Sequence, residues 1–131
     1  MKLQSNLYTV LSACRQTGVC TIHLIENCMI YQAHFPGNPI TPGACIIQIA
    51  QELYEQLCGH SVEILEVKNA KFLKTMTPSP DNRYHYSFSN NSADSDNDRM
   101  QVVVSDDDSS TSEAAEPISI YAKFSLVCKS R

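Results

Sequence analysis

His34 opens the stretch HFPGNPITPG, in which Pro36, Pro39 and Pro42 recur every three residues with Gly37 and Gly43 among them. A neutral imidazole takes and returns protons close to neutral pH. Prolines fix φ, so a loop this dense in them limits how far His34 can drift. The apolar run ACIIQIAQELYEQL follows directly, and the sequence predicts a helix beginning near Thr41. Thr41 suits the N-cap and Pro42 the first helical position. The first N–H groups of such a helix have no intrahelical partner and carry the positive end of its dipole. Pro42 has no N–H, so Gly43 supplies the first donor for an oxygen gaining negative charge. Gly37 and Gly43 would also let a substrate approach the backbone closely. Further along lie Gln48 and, one turn on, Glu52, on a polar stripe with Gln51 and Glu55. The prolines and glycines alone would equally make a rigid turn that only starts a helix. His34 at the head of the stretch favours a site.

The elements that must position these residues are legible from period and punctuation. Ile46, Ala50, Leu53 and Leu57 recur at three and four residues and form one buried helical face. Ile47, Ile49 and Tyr54 widen it, which predicts a helix wrapped by other structure rather than laid on a surface. Gly59 is a natural stop. Before the helix, residues 7 to 32 read as strands, with a turn at Gly18 and another at Glu26-Asn27, between VCTIHLIE and CMIY. After it, VEILEVKNAKFLKTM, RYHYSFSN, RMQVVV and ISIYAKFSLVC are β-like. Two acidic, Ser-rich segments, 90–98 and 105–116, are expected to be exposed, mobile hairpin connections. The order is β-β-(β)-α-β-β-β-β: an α+β chain, one domain over residues 1–131, with a long antiparallel sheet and one buried helix inserted early.

Bulk properties exclude other classes. The chain has 131 residues, 43% apolar and 18% charged, with a net charge of −4 and no Lys/Arg-rich run. That argues against nucleic-acid binding. No apolar run approaches the roughly 20 residues that span a bilayer. MKLQSNLYTV lacks the apolar core of a secretory signal, so a cytoplasmic location is expected. The six cysteines form no CxxC pair and are expected to be buried free thiols. The four histidines show no ligand spacing, so no metal is expected.

The opening motif resembles the 3-hydroxyacyl-acyl-carrier-protein dehydratases of fatty acid synthesis. Their signature is His-Phe-Pro-Gly-x-Pro-x-x-Pro-Gly before the central helix of a hot-dog fold. His34, Phe35, Pro36, Gly37, Pro39, Pro42 and Gly43 all fit. AKFLKTMTPSPD (70–81) is similar to the family's Lys-Phe strand and turn, and ISIYAKFSL suits its last strand. The resemblance implies β-elimination of water from a 3-hydroxyacyl thioester carried by acyl carrier protein, with no cofactor. It makes His34 the base at C2, the Gly43 N–H the donor to the thioester oxygen, and Phe35, Pro36, Gly37 and Pro42 the substrate-binding loop. It also implies a homodimer, or a higher oligomer, with composite sites in which His34 faces Gln48 of the second protomer.

The chain departs from this pattern at one position. The family's catalytic Glu or Asp lies fourteen residues after the His, where this sequence has Gln48. An amide cannot transfer a proton, and loss of a general acid costs on the order of 10²–10⁴ in rate. Three routes stay open. His34 shuttles the proton alone while Gln48 orients the hydroxyl; Glu52, roughly 6 Å further along the axis, supplies the acid; or the chain is a silent acyl-binding or partner subunit. A thioesterase on the same fold is the competing enzyme. Lys68, Lys71 and Lys74 are candidates for docking the acidic carrier protein. Strict strand alternation puts Lys68 and Lys74 on one face and Lys71 on the other.

Overall fold

The computed structural model describes residues 3–33, 37, 39–90, 97–106 and 119–131. Eight elements follow in order: β1 (Tyr8–Cys14), β2 (Val19–Leu24), α1 (Met29–Ala33), α2 (Gly43–Cys58), β3 (Val62–Phe72), β4 (Tyr84–Asn90), β5 (Asp98–Asp106) and β6 (Ile120–Ser130). The six strands form one sheet in the order β1-β2-β4-β5-β6-β3, antiparallel at every pairing. The antiparallel sheet with a long helix agrees with the expected architecture.

Cross-strand register explains why one face of the sheet is the core. Cys20 pairs with Tyr86, Tyr86 with Val104, and Val104 with Ala122. The next row runs Phe88, Val102 and Phe124, and the next Met100, Leu126 and Val67. Directly paired residues share a face, and these are buried except Phe88, which is half-buried, and Val67, which is exposed on the edge strand. Helix α2 lies against them through Ile46, Ile49, Ala50, Leu53 and Leu57, all buried, with Ile47 and Tyr54 half-buried beside them. The buried Tyr86 hydroxyl donates to the Ile46 carbonyl at 3.1 Å, which sets the helix on the sheet. Gly59 ends the helix at φ 85°, its N–H bonded to the Glu55 carbonyl. A left-handed cap of this kind favours glycine.

Four expectations change. CMIY is not a strand: Met29–Ala33 form α1, begun by the turn in which Cys28 N–H bonds the Ile25 carbonyl. In a strand, Met29 and Tyr31 would share one face, yet Met29 is 79% exposed and Tyr31 only 3%. Burying the Tyr31 ring alone is what a short helical turn achieves. Thr41 does not cap α2. Pro42, with φ −62° and ψ 147°, is the cap residue, and its carbonyl accepts from Cys45 and Ile46 N–H. Thr41 is instead buried, its hydroxyl 2.7 Å from the Tyr31 hydroxyl and its N–H on the Met76 carbonyl. The cysteines are all free, but Cys14 is exposed and only Cys20 and Cys128 are fully buried. The acidic segments largely lie outside the described residues; their flanks, Asn90, Asp98, Ser105 and Asp106, belong to strands β4 and β5.

The fourth correction concerns the lysines. Strand β3 carries an irregularity between Lys68 and Lys71, where Asn69 takes a left-handed φ of 54°. Lys68 pairs with Ser125 and Lys71 with Lys123. Ser125 and Lys123 are two apart on β6, so Lys68 and Lys71 share the outer face of the sheet. The extra residue of the bulge breaks the strict alternation.

Candidate active site

The site begins where α2 begins. Gly43 and Ala44 precede the first intrahelical bond, which runs from Cys45 N–H to the Pro42 carbonyl. Their N–H groups therefore stand at the positive end of a 16-residue helix. No acidic residue lies in its first turn to compete for that end. The cleft beside it, about 340 Å³, is lined by Ile40, Thr41, Gly43 and Ile46 on one side and by residues Phe72 to Met76 on the other. Most of that lining is apolar, as the walls of small-molecule sites usually are.

Gly43 is held against Phe72. A Cβ on Gly43 would lie 3.1–3.4 Å from three carbons of the Phe72 ring, closer than most side-chain contacts allow. Phe72 pairs with Ala122, so its ring points to the inner, helix-bearing face, and it remains 48% exposed at the end of the edge strand. Gly37 has φ 83° and open space where a Cβ would stand, so its glycine serves backbone conformation rather than clearance. His34, Phe35, Pro36 and Asn38 lie outside the described residues. The described ends of that stretch are joined by the Tyr31–Thr41 hydrogen bond. Burial raises the Tyr31 phenol to about 12, so it remains a protonated partner at neutral pH.

Gln48 is half-buried one turn inside α2, and it does not line this cleft within one chain. Its Nε2 donates to Glu52 Oε2 at 3.0 Å. Glu52 also accepts from Leu3 N–H at 2.7 Å, Gln4 N–H at 3.0 Å and the Tyr8 hydroxyl at 2.8 Å. Four donors converge on one carboxylate and tie the N-terminal segment to the helix. Burial, then the Glu52 hydrogen bond and charge, push the Tyr8 phenol well above its ordinary range, so it stays a donor. Nothing local in the sequence marks Tyr8 as the partner of Glu52; they are 44 residues apart.

The lysines divide. Lys68 and Lys71 lie on the outer face with Lys123, which sequence spacing did not single out because it belongs to β6. Lys68 stands 3.8 Å from Glu66. Lys74, beyond the strand, donates to Ser119 Oγ at 3.0 Å and lies 5.9 Å from the Tyr121 ring centre.

Comparison with known proteins places this architecture. Residues 12–112 match the family described as ApeI-like, ApeI dehydratase. The chain is 38% identical over 66 residues to the 3-hydroxyacyl-acyl-carrier-protein dehydratase FabZ of Levilactobacillus brevis, covering 45% of each chain. It is 33% identical over 92 residues to FabZ of Lactiplantibacillus plantarum, covering 60% of this chain and 63% of that one. These matches span less than two thirds of either relative's length. Among solved structures, the dehydratase heterocomplex ApeI:P from Xenorhabdus doucetiae aligns with a TM-score of 0.70 at 12% identity, over 92% of this chain and 97% of that chain. An acyl-CoA hydrolase from Staphylococcus aureus, in complex with butyryl coenzyme A, aligns with a TM-score of 0.62 at 13% identity, over 88% and 67%. Such low identities speak for the fold, which is the hot-dog fold. With most of its length matched by one family, the chain belongs to the ApeI-like dehydratases.

Proposed function

We propose that the protein removes water from 3-hydroxyacyl thioesters delivered by acyl carrier protein. The observation that carries this reading is the HFPGNPITPG motif running into an uncapped helix start at an apolar cleft, within a chain matched by a dehydratase family. His34 takes the proton from C2, the electron pair forms the C2–C3 double bond, and the C3 oxygen leaves. The proton from C2 returns through His34 to that oxygen, so water departs and the base is regenerated. The Gly43 N–H faces the thioester oxygen while its charge grows. Gln48 orients the 3-hydroxyl. The four donors on Glu52 favour an anchoring role for it over that of the acid, since a protonated carboxyl would have to give up one of those bonds.

The composite site requires a second protomer. Among the described residues β3 pairs on one side only, with β6, and exposes Leu65, Val67 and Phe72. Pairing of two such edges gives a homodimer in which His34 of one chain approaches Gln48 of the other. Lys68, Lys71 and Lys123 form the basic patch that would meet an acidic carrier protein. Lys74 stands near it.

Gln48 supports a second reading, in which the chain is a silent partner subunit that needs no carboxylate of its own at this position. The test gives purified protein a 3-hydroxyacyl carrier-protein substrate and follows enoyl product and free thiol together. Enoyl formation abolished by His34→Ala carries the dehydratase reading. Free thiol instead indicates a thioesterase. Neither product from a verified dimer leaves the partner-subunit reading.

A further inference from the structure

A second cleft lies at the opposite end of α2, between the helix, the β1–β2 turn and the end of β4. Its volume is about 350 Å³, within the range of small-molecule sites, and its lining is largely apolar. Tyr54, Leu57 and Phe88 are among its lining residues, and Arg15 is the one charged residue among the described residues that line it.

The walls are held in place by specific bonds. The Tyr54 hydroxyl donates to Asp98 at 2.7 Å, and its ring packs tilted on Phe88, with centroids 6.1 Å apart. Phe88 N–H bonds the Gly18 carbonyl at 2.8 Å. A Cβ on Gly18 would meet the Phe88 carbonyl oxygen at 2.6 Å, so the turn fits this tightly only because it carries glycine at φ 73°. Arg15 Nε donates to the Leu57 carbonyl at 2.7 Å, which fixes the guanidinium beside the helix C-terminus. That bond uses one edge of the group and leaves the two terminal nitrogens for another acceptor.

We propose that this cleft binds a medium-chain alkyl carboxylate, its tail between Tyr54, Leu57 and Phe88 and its carboxylate on Arg15. Charge complementarity selects the head group: Arg15 alone is charged among the described lining residues, and one guanidinium at an apolar cleft suits one anionic group on an apolar chain. The planar fork of arginine matches a carboxylate through two parallel bonds. The cleft is distinct from the candidate active site. Leu57 is about 21 Å along the helix from Gly43, and among the described residues the two clefts share none of their lining.

The test uses sodium octanoate below its aggregation range, with octanamide as the neutral control, and does not require catalysis. Octanoate is expected to shift the NMR signals of Tyr54, Leu57 and Phe88 saturably and to slow alkylation of Cys58, which also lines the cleft. Arg15→Gln is expected to weaken octanoate about tenfold or more, while octanamide binds parent and variant alike. Arg15→Lys, which keeps the charge but loses the fork and the Leu57 bond, is expected to bind octanoate with an affinity between those of the parent and Arg15→Gln. Circular dichroism and melting confirm that both variants fold. Equal octanoate binding by the parent and Arg15→Gln, equal loss in both variants, or shifts confined to the Gly43 end would each overturn the proposal.

Discussion

At the scale of the residue, the central pair is Gln48 and Glu52. The amide stands 3.0 Å from a carboxylate that three other donors also reach. Gln48→Glu therefore sets a second carboxyl beside Glu52. Two adjacent carboxyls cannot both ionise cheaply, so the pair holds one proton to higher pH than an isolated glutamate. The substitution is expected to raise the dehydration rate by on the order of 10². Its pH–rate profile should fall on the alkaline side as the shared proton is lost; an unchanged rate would remove Gln48 from the site. Tyr8 is the next test. Tyr8→Phe deletes a hydrogen bond to a carboxylate and is expected to cost about 1.5–3 kcal/mol in urea unfolding. Faster amide exchange at Leu3 and Gln4, whose N–H groups share that carboxylate, should accompany it.

At the scale of the element, α2 and the end of β3 are fitted to each other through Gly43 and Phe72. Gly43→Ala drives a methyl against the ring and is expected to destabilise by about 1–3 kcal/mol, read by thermal melting. Phe72→Leu alone loses some apolar contact, but combined with Gly43→Ala it is expected to recover part of the loss. Simple additivity in that double-mutant cycle would show that the two residues do not press on one another. Element type was largely legible from the sequence. Ile46, Ala50, Leu53 and Leu57 recur at helical period, and all four are buried in α2. CMIY was misread because four β-prone residues carry no period of their own, and the burial of one Tyr31 ring decided the turn. The face shared by Lys68 and Lys71 was hidden for another reason: a bulge is a mismatch with β6, and β3 alone does not contain it.

At the scale of the whole molecule, two predictions follow from exposure and burial. The β3 edge presents Leu65 at 45% and Val67 at 38% exposure beside backbone that, among the described residues, pairs with no further strand. A charge on such an edge opposes strand pairing. Leu65→Lys is expected to shift the protein from dimer to monomer in sedimentation velocity; a parent that sediments as a monomer would sink the edge-paired assembly. The second concerns alkali. All six tyrosines have phenols raised above their ordinary value, in each case first by burial. Above a pH of about 10, the unfolded chain releases phenolic protons that the folded chain keeps. The unfolded state then binds fewer protons, so stability falls as pH rises. Denaturant midpoints measured between pH 8 and 11 should decline on the upper part of that range, and less steeply in Tyr8→Phe.

By itself, the sequence determined the run of strands around one buried helix, the stop at Gly59, and the motif that sets His34 a few residues before a helix start. These are properties of neighbours along the chain, where period, glycine and proline act within a few residues. Only the tertiary structure decided that Thr41 faces Tyr31 instead of capping α2, that Gly43 gives room to Phe72, and that Glu52 gathers donors from Leu3, Gln4, Tyr8 and Gln48. Each depends on partners distant in sequence or on the register of a pairing strand. A side chain commits its hydrogen bonds to whatever the folded chain brings within about 3 Å, and spacing along one segment does not contain that information.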